Sequence, residues 1–236
     1  MIPLSKKITI LLFLGICVIS TAALIIYTKN PHTQDTPKNS PVITSPSQKE
    51  RTMKIVAFGD SLTAGYGVTL EESYPSILEM KLQEQGHAIE MVNMGVSGET
   101  STAALERLEF VAQQNPEIVL LGIGANDMLR GMSPDDLLRN VERMVTFFQN
   151  KNITVVLLGM KSVASNGQVY EEKFNAVYPT IAQKYNTTLV PFFLENVVLN
   201  SSLNTSDGIH PNKQGYEKIV NENILPILLP VLTSRK

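Results

Sequence analysis

The chain has 236 residues, with 20 Lys and Arg against 22 Asp and Glu and a formal net charge of −2. Without a basic run, or basic residues interleaved with aromatic ones, nothing in it is suited to nucleic acid. Its single cysteine, Cys17, cannot close an internal disulfide, so the fold is independent of the redox compartment.

Lys6 and Lys7 precede an apolar run at 8–27. As a helix rising ~1.5 Å per residue, that run is long enough for a ~30 Å hydrocarbon core. A cleavable signal peptide has a shorter apolar region of roughly 7–15 residues, followed by small residues. Ser20, Thr21, Ala22 and Ala23 supply small residues, but Leu24, Ile25, Ile26 and Tyr27 carry the run past them. Residues 1–27 are therefore expected to form an uncleaved membrane anchor, with secretion after cleavage as the alternative. The two lysines favour a cytoplasmic N-terminus, which makes the chain single-pass with everything after the anchor extracytoplasmic. Cys17 follows Ile16, which is too bulky for the small residue usual before a lipidated cysteine, and reads as an ordinary apolar cysteine.

Residues 28–52 turn to proline, threonine, serine and asparagine, with Pro31, Pro37, Pro41 and Pro46 spaced through them. Such a stretch cannot bury enough apolar surface to offset its ordering entropy, and it is expected to be a solvated tether with a reach on the order of 25–30 Å. Residues 53–236 then make one domain of ordinary size with no internal repeat. Nothing in the sequence sets the oligomeric state.

Within that domain, continuous apolar runs occur at KIVAF (54–58), IEMVN (89–93), EIVLLGIG (117–124), ITVVLLG (153–159) and TLVPF (188–192). Being continuous rather than alternating, they predict buried parallel strands. Helical patterns lie between them. Residues 73–85 carry Tyr74, Ile77, Leu78 and Leu82 on one face and stop at Gly86. Ser133, Pro134 and Asp136 read as N-cap, first-turn proline and acidic N3 of a helix reaching about Asn150. The alternation implies an α/β fold around a parallel sheet.

Three short stretches far apart carry chemistry: GDSLT with Ser61, GAND with Asn126, and DGIHP with Asp207 and His210. A serine hydroxyl is a poor nucleophile at neutral pH and needs an imidazole to take its proton and a carboxylate to hold that imidazole in one tautomer. His210 and Asp207 suit those roles. A tetrahedral intermediate also needs donors aimed at its oxyanion, which backbone amides and the Asn126 side chain can supply. Asp127 reads as a structural partner, and His32 and His87 as solvated surface. Asp207 and His210 could instead ligate a metal, but no further histidine or cysteine cluster completes a zinc site, and none is expected.

The set resembles the SGNH, or GDSL, hydrolase superfamily, whose blocks have counterparts in order. These are Ser61 in FGDSLTAGYG, Gly95 in NMGVSGET, Asn126 in GIGAND, and Asp207 with His210 in DGIHP. The similarity runs from about Met53 to the C-terminus. Residues 170–191, followed by FFLE and DGIHPN, are similar to the bacterial branch of lysophospholipases, arylesterases and acyl-thioesterases. The resemblance implies a flavodoxin-like three-layer α/β/α fold with five parallel strands in the order 2-1-3-4-5. It also implies an acyl-enzyme mechanism without a cofactor, and an oxyanion hole made by the Ser61 and Gly95 amides with Asn126. The segment KSVASNGQVY departs from the branch, which usually has prolines and an Asn-Tyr-Gly turn there, so acyl-chain and head-group preference do not carry over.

In an open α/β sheet, ligands bind beyond the carboxyl ends of the strands where the strand order reverses. Ser61, Gly95 and Asn126 follow the first three predicted strands, so all lie at that edge. Met128, Leu129, Val163 and Ile209 are candidates to line an acyl path, and equally candidates for core. The expected substrate is a small-molecule or lipid ester: a lysophospholipid, a fatty acyl or aryl ester, or an acyl-thioester. The rival readings are a carbohydrate O-acetyl esterase acting on cell-wall polymer and a non-catalytic binding module with the same fold.

Overall fold

The computed structural model of the protein describes residues 51–162 and 166–234. All of these belong to one compact unit, Gln48–Lys236. The expected anchor, and the tether except Arg51 and Thr52, lie outside the described residues. No helix among the described residues is long and apolar enough to cross a membrane.

The chain alternates strands and helices as the apolar pattern requires. In order they are β1 (Met53–Gly59), α1 (Ser61–Ala64), α2 (Tyr74–Glu84), β2 (Ile89–Gly95), α3 (Ser101–Leu105), α4 (Leu108–Ala112), β3 (Ile118–Gly122), α5 (Ala125–Leu129), α6 (Pro134–Asn150), β4 (Thr154–Leu158), α7 (Gln168–Tyr185) and β5 (Thr188–Val190). The C-terminal helix follows as α8 (Lys213–Lys218), a π-helical stretch (Ile219–Ile224) and α9 (Leu225–Thr233). Every strand pairing is parallel, and the order is β2-β1-β3-β4-β5. Right-handed crossovers fix the layers. The connection from β1 to β2 runs in the opposite direction across the sheet to the later ones, so α2 lies on one face and α4, α6 and α7 on the other. The C-terminal helix packs on α2, and α6 packs on α3, α4, α5 and α7.

Burial explains the element boundaries. Ile55, Val56, Ala57 and Phe58 of β1 and Ile118, Val119 and Leu120 of β3 have no exposure at all, as expected for strands covered on both faces. The four apolar residues expected on one face of α2 are buried, and Gly86 just beyond its end has φ +84°. Helix α6 begins at the expected proline, but the Ser133 side chain makes no capping hydrogen bond. The start of α6 rests instead on Pro134, whose φ is already helical, and on Asp135 and Asp136 near the positive end of the helix. Strand β5 is shorter than its apolar run, because Pro191 has no N–H with which to extend the ladder. The π-helical stretch has a similar cause. Pro226 cannot donate to the Glu222 carbonyl and its ring would strike it, so the preceding turn widens and the Leu225 N–H reaches the Val220 carbonyl instead.

Phe148 of α6 is fully buried and meets Phe58 of β1 edge-on at 6.2 Å between ring centroids. Truncating it leaves a cavity between helix and sheet, and Phe148→Ala is expected to cost about 3–5 kcal/mol. Phe110 is 57% exposed, and Phe110→Ala should stay within about 0.5 kcal/mol of the parent. Denaturant midpoints at unchanged m check both. Equal midpoints for the two variants would contradict this packing.

Candidate active site

The site forms where β1 hands over to α1. The Asp60 carboxylate caps α1 by accepting the Leu62 N–H at 3.0 Å, and Ser61 is the first residue of the helix rather than its cap. Ser61 Oγ lies 2.8 Å from His210 Nε2, across 149 residues of sequence. His210 Nδ1 is 2.7 Å from Asp207 Oδ2. The other carboxylate oxygen, Asp207 Oδ1, accepts the Ile209 and His210 N–H groups at 2.8 and 3.0 Å and the Thr205 hydroxyl at 2.8 Å. Desolvation alone would raise the Asp207 carboxyl. The two backbone N–H groups, the imidazole and the hydroxyl outweigh it and hold the group well below the usual carboxylate range.

Asn126, the second residue of α5, donates one amide N–H to the Glu99 carbonyl at 2.9 Å and has a second N–H to offer. Its neighbour Asp127 is buried and accepts both the N–H and the hydroxyl of Ser101, at 2.8 and 2.5 Å. That is the structural role expected of it. Glu99 is also buried and makes a two-pronged contact with Arg107, at 2.7 and 2.5 Å. The turn between β2 and α3 is thus clamped to α5 from two sides.

Gly95 is not where the sequence reading put it. It is the last residue of β2, its N–H already donates to Asn93 Oδ1 at 3.0 Å, and it does not line the cleft. Its glycine is required for a different reason. A Cβ there would lie 2.1 Å from the Ala64 backbone nitrogen, so only glycine lets α1 cross the strand end. Gly98, three residues on, does line the cleft with Ser61 and Asn126. Its N–H has no acceptor among the described residues. Both glycines stand in NMGVSGET, and the sequence offered no way to tell which one lines the cleft with Ser61.

These groups open into a cleft of about 430 Å³. Of the residues that were candidates for either an acyl path or core, Met128, Leu129 and Ile209 line it, the first buried and the other two about half exposed. Val163 lies outside the described residues. Tyr66, Met160, Leu194 and Val198 line the cleft without having been foreseen. Met160 and Leu194 lie just beyond β4 and β5, and that position was the only signal for them. Among the described residues no three His, Cys, Asp or Glu side chains converge as a metal site.

Comparison with known proteins gives the family. Residues 57–218 match the GDSL-like Lipase/Acylhydrolase family. The chain belongs to that family. An arylesterase of Vibrio mimicus is 35% identical over 162 residues, 68% of this chain and 81% of that protein. A protein of Escherichia coli (strain K12) named thioesterase 1/protease 1/lysophospholipase L1 is 34% identical over 160 residues, 67% of this chain and 76% of the other. The crystal structure of TesA superposes with a TM-score of 0.72 at 33% identity, covering 76% of this chain and 99% of that one. Like these relatives, this family member is a carboxylic ester hydrolase.

Beneath the site lies a group of buried acids. Asp60 is completely buried, and burial, reinforced by the nearby Asp127 and Glu99 carboxylates, pushes its carboxyl up to about 7 against the pull of the Leu62 N–H. The folded chain therefore holds this proton more tightly than the unfolded chain does. The stability it contributes is lost as pH rises from about 4 to about 7. Asp60→Asn keeps a capping oxygen but cannot ionise. Its stability relative to the parent should rise between pH 5 and pH 8, by a few kcal/mol and at most on the order of 4. Unfolding midpoints of both proteins across that range provide the check, and a pH-independent difference would contradict the assignment.

Proposed function

We propose that the chain is a membrane-anchored serine esterase that hydrolyses fatty acyl, lysophospholipid or aryl esters through an acyl-enzyme. The observation that carries this reading is the unbroken Ser61–His210–Asp207 relay, with contacts of 2.8 and 2.7 Å, opening into a mainly apolar cleft. Ser61 Oγ attacks the carbonyl carbon while His210 Nε2 takes its proton, and Asp207 holds the imidazole in the tautomer that can accept it. The oxyanion is received by the Asn126 amide and the Gly98 N–H. The Ser61 N–H joins them, being one of the first amides of α1 and so without an acceptor inside its helix. Collapse of the intermediate expels the alcohol, which leaves with the proton from His210. Water then attacks the acyl-enzyme with the same base, releasing the acid and restoring Ser61.

A cleft of about 430 Å³ is far more than an acetyl group fills, which favours longer acyl chains over the acetyl groups of a glycan. The segment at 8–27 and the two lysines before it support a single-pass anchor with the catalytic domain outside the cytoplasm. Coenzyme A thioesters are cytoplasmic, so oxygen esters are the better match. On p-nitrophenyl esters, kcat/KM should rise from acetate to longer chains, and lysophospholipid should be cleaved while acetylated glycan is not. A preference for the glycan would overturn this choice of substrate.

Mutation separates the roles. Asn126→Ala removes a donor that matters most in the transition state, and kcat should fall by ~10²–10³ with little change in KM. Asp207→Asn should leave the fold intact and lower kcat by ~10⁴, because an amide does not favour the productive tautomer. If Asn126→Ala altered KM alone, Asn126 would be a substrate-binding residue and the oxyanion geometry would be wrong.

A further inference from the structure

Tyr66 is a cleft residue to which the mechanism gives no part. It is 54% exposed, and its ring centroid lies 4.8 Å from that of His210, with the planes tilted by 47°. Its hydroxyl has no hydrogen-bond partner among the described residues. The ring is fixed to the same short helix as the nucleophile, because the N–H groups of Gly65 and Tyr66 both donate to the Ser61 carbonyl, at 3.1 and 3.0 Å. Gly65 and Gly67 on either side have φ +78° and +87°, so the turn that presents the ring is one that glycine makes easily.

The far side of this turn meets the loop that carries the other two groups. A Cβ at Gly67 would lie 3.1 Å from Thr205 Cγ2. Thr205 in turn donates its hydroxyl to Asp207 and its N–H to the His210 carbonyl, both at 2.8 Å. The hydrogen bonds to Asp207 and Ser61 hold the imidazole at its two nitrogens. Those two bonds by themselves resist only weakly a tilt of the ring about the line between the nitrogens or a displacement normal to its own plane. The Tyr66 ring, packed against the imidazole at 4.8 Å between centroids, restrains both motions.

We infer that Tyr66 is a positioning residue for His210, holding the imidazole in line between Asp207 and Ser61. This rests on the proposed reading of His210 as general base. The full chain and its Tyr66→Ala, Tyr66→Leu and Tyr66→Phe variants test it through kcat and KM on a short and a long acyl ester. Fluorophosphonate labelling rates and the downfield Nδ1 proton resonance of His210 are followed in parallel. Tyr66→Ala should lower kcat and the labelling rate together, on the order of tenfold, with KM little changed for either ester. Its Nδ1 resonance should broaden through solvent exchange. Tyr66→Phe should restore all three, since the hydroxyl has no partner, and Tyr66→Leu should fall between. The inference is overturned if Tyr66→Ala keeps parental kcat and labelling rate, if its defect lies in KM, or if Tyr66→Phe is as impaired as Tyr66→Ala. A parent chain that fluorophosphonate does not label would instead mean that the general-base reading itself fails.

Discussion

The site depends on the close approach of α1 to the end of β2. Ser61 faces His210 from a four-residue helix that starts just after β1 and packs against the end of the neighbouring strand. That packing leaves no room for a side chain at Gly95. Asn93 ties the two together, donating to the Thr63 carbonyl at 2.9 Å while accepting the Gly95 N–H. Tyr216 of α8 holds the same helix from the other side through the Leu62 carbonyl, at 3.0 Å. Ser61, set on so short an element, would otherwise be poorly located, since one helical turn has little stability of its own.

Two carboxylates near Ser61 are driven in opposite directions by their surroundings. Asp207 sits at the surface with four donors and stays ionised, which suits a group that must stabilise a positive imidazolium. Asp60 is adjacent to Ser61 in sequence but buried, with the Asp127 and Glu99 carboxylates nearby, and it holds its proton far more readily. On the proposed mechanism this separation is useful. A fixed negative charge beside the oxyanion would oppose the reaction, and a negative charge beside His210 assists it.

Much of the sheet was legible in the sequence because both of its faces are covered. Strands such as 55–58 and 118–121 read as continuous apolar runs, and the helix at 74–84 showed its buried face in the spacing of Tyr74, Ile77, Leu78 and Leu82. Ser61, Asn126, Asp207 and His210 were legible as chemistry, since few residue types can act as nucleophile, donor, acid and base. What failed depended on local backbone geometry. Gly95 and Gly98 differ in what approaches them, not in type. Ser133 precedes its helix in the expected place, yet the local geometry leaves its hydroxyl out of the cap. Tyr66 gave no signal because its importance lies in a contact with His210, 144 positions away by number (210 − 66) and made only in the fold.

The central claim is that Ser61 becomes covalently acylated. A fluorophosphonate ester forms a bond to an activated serine that water does not readily break, so its point of attachment reports the nucleophile directly. Reacting the full chain with such a reagent, digesting it and mapping the adduct by mass spectrometry should place the adduct on Ser61. Ser61→Ala should take up none and lose nearly all esterase activity while remaining folded. An adduct on another residue, or a folded Ser61→Ala protein that retains more than a few per cent of activity, would contradict the account.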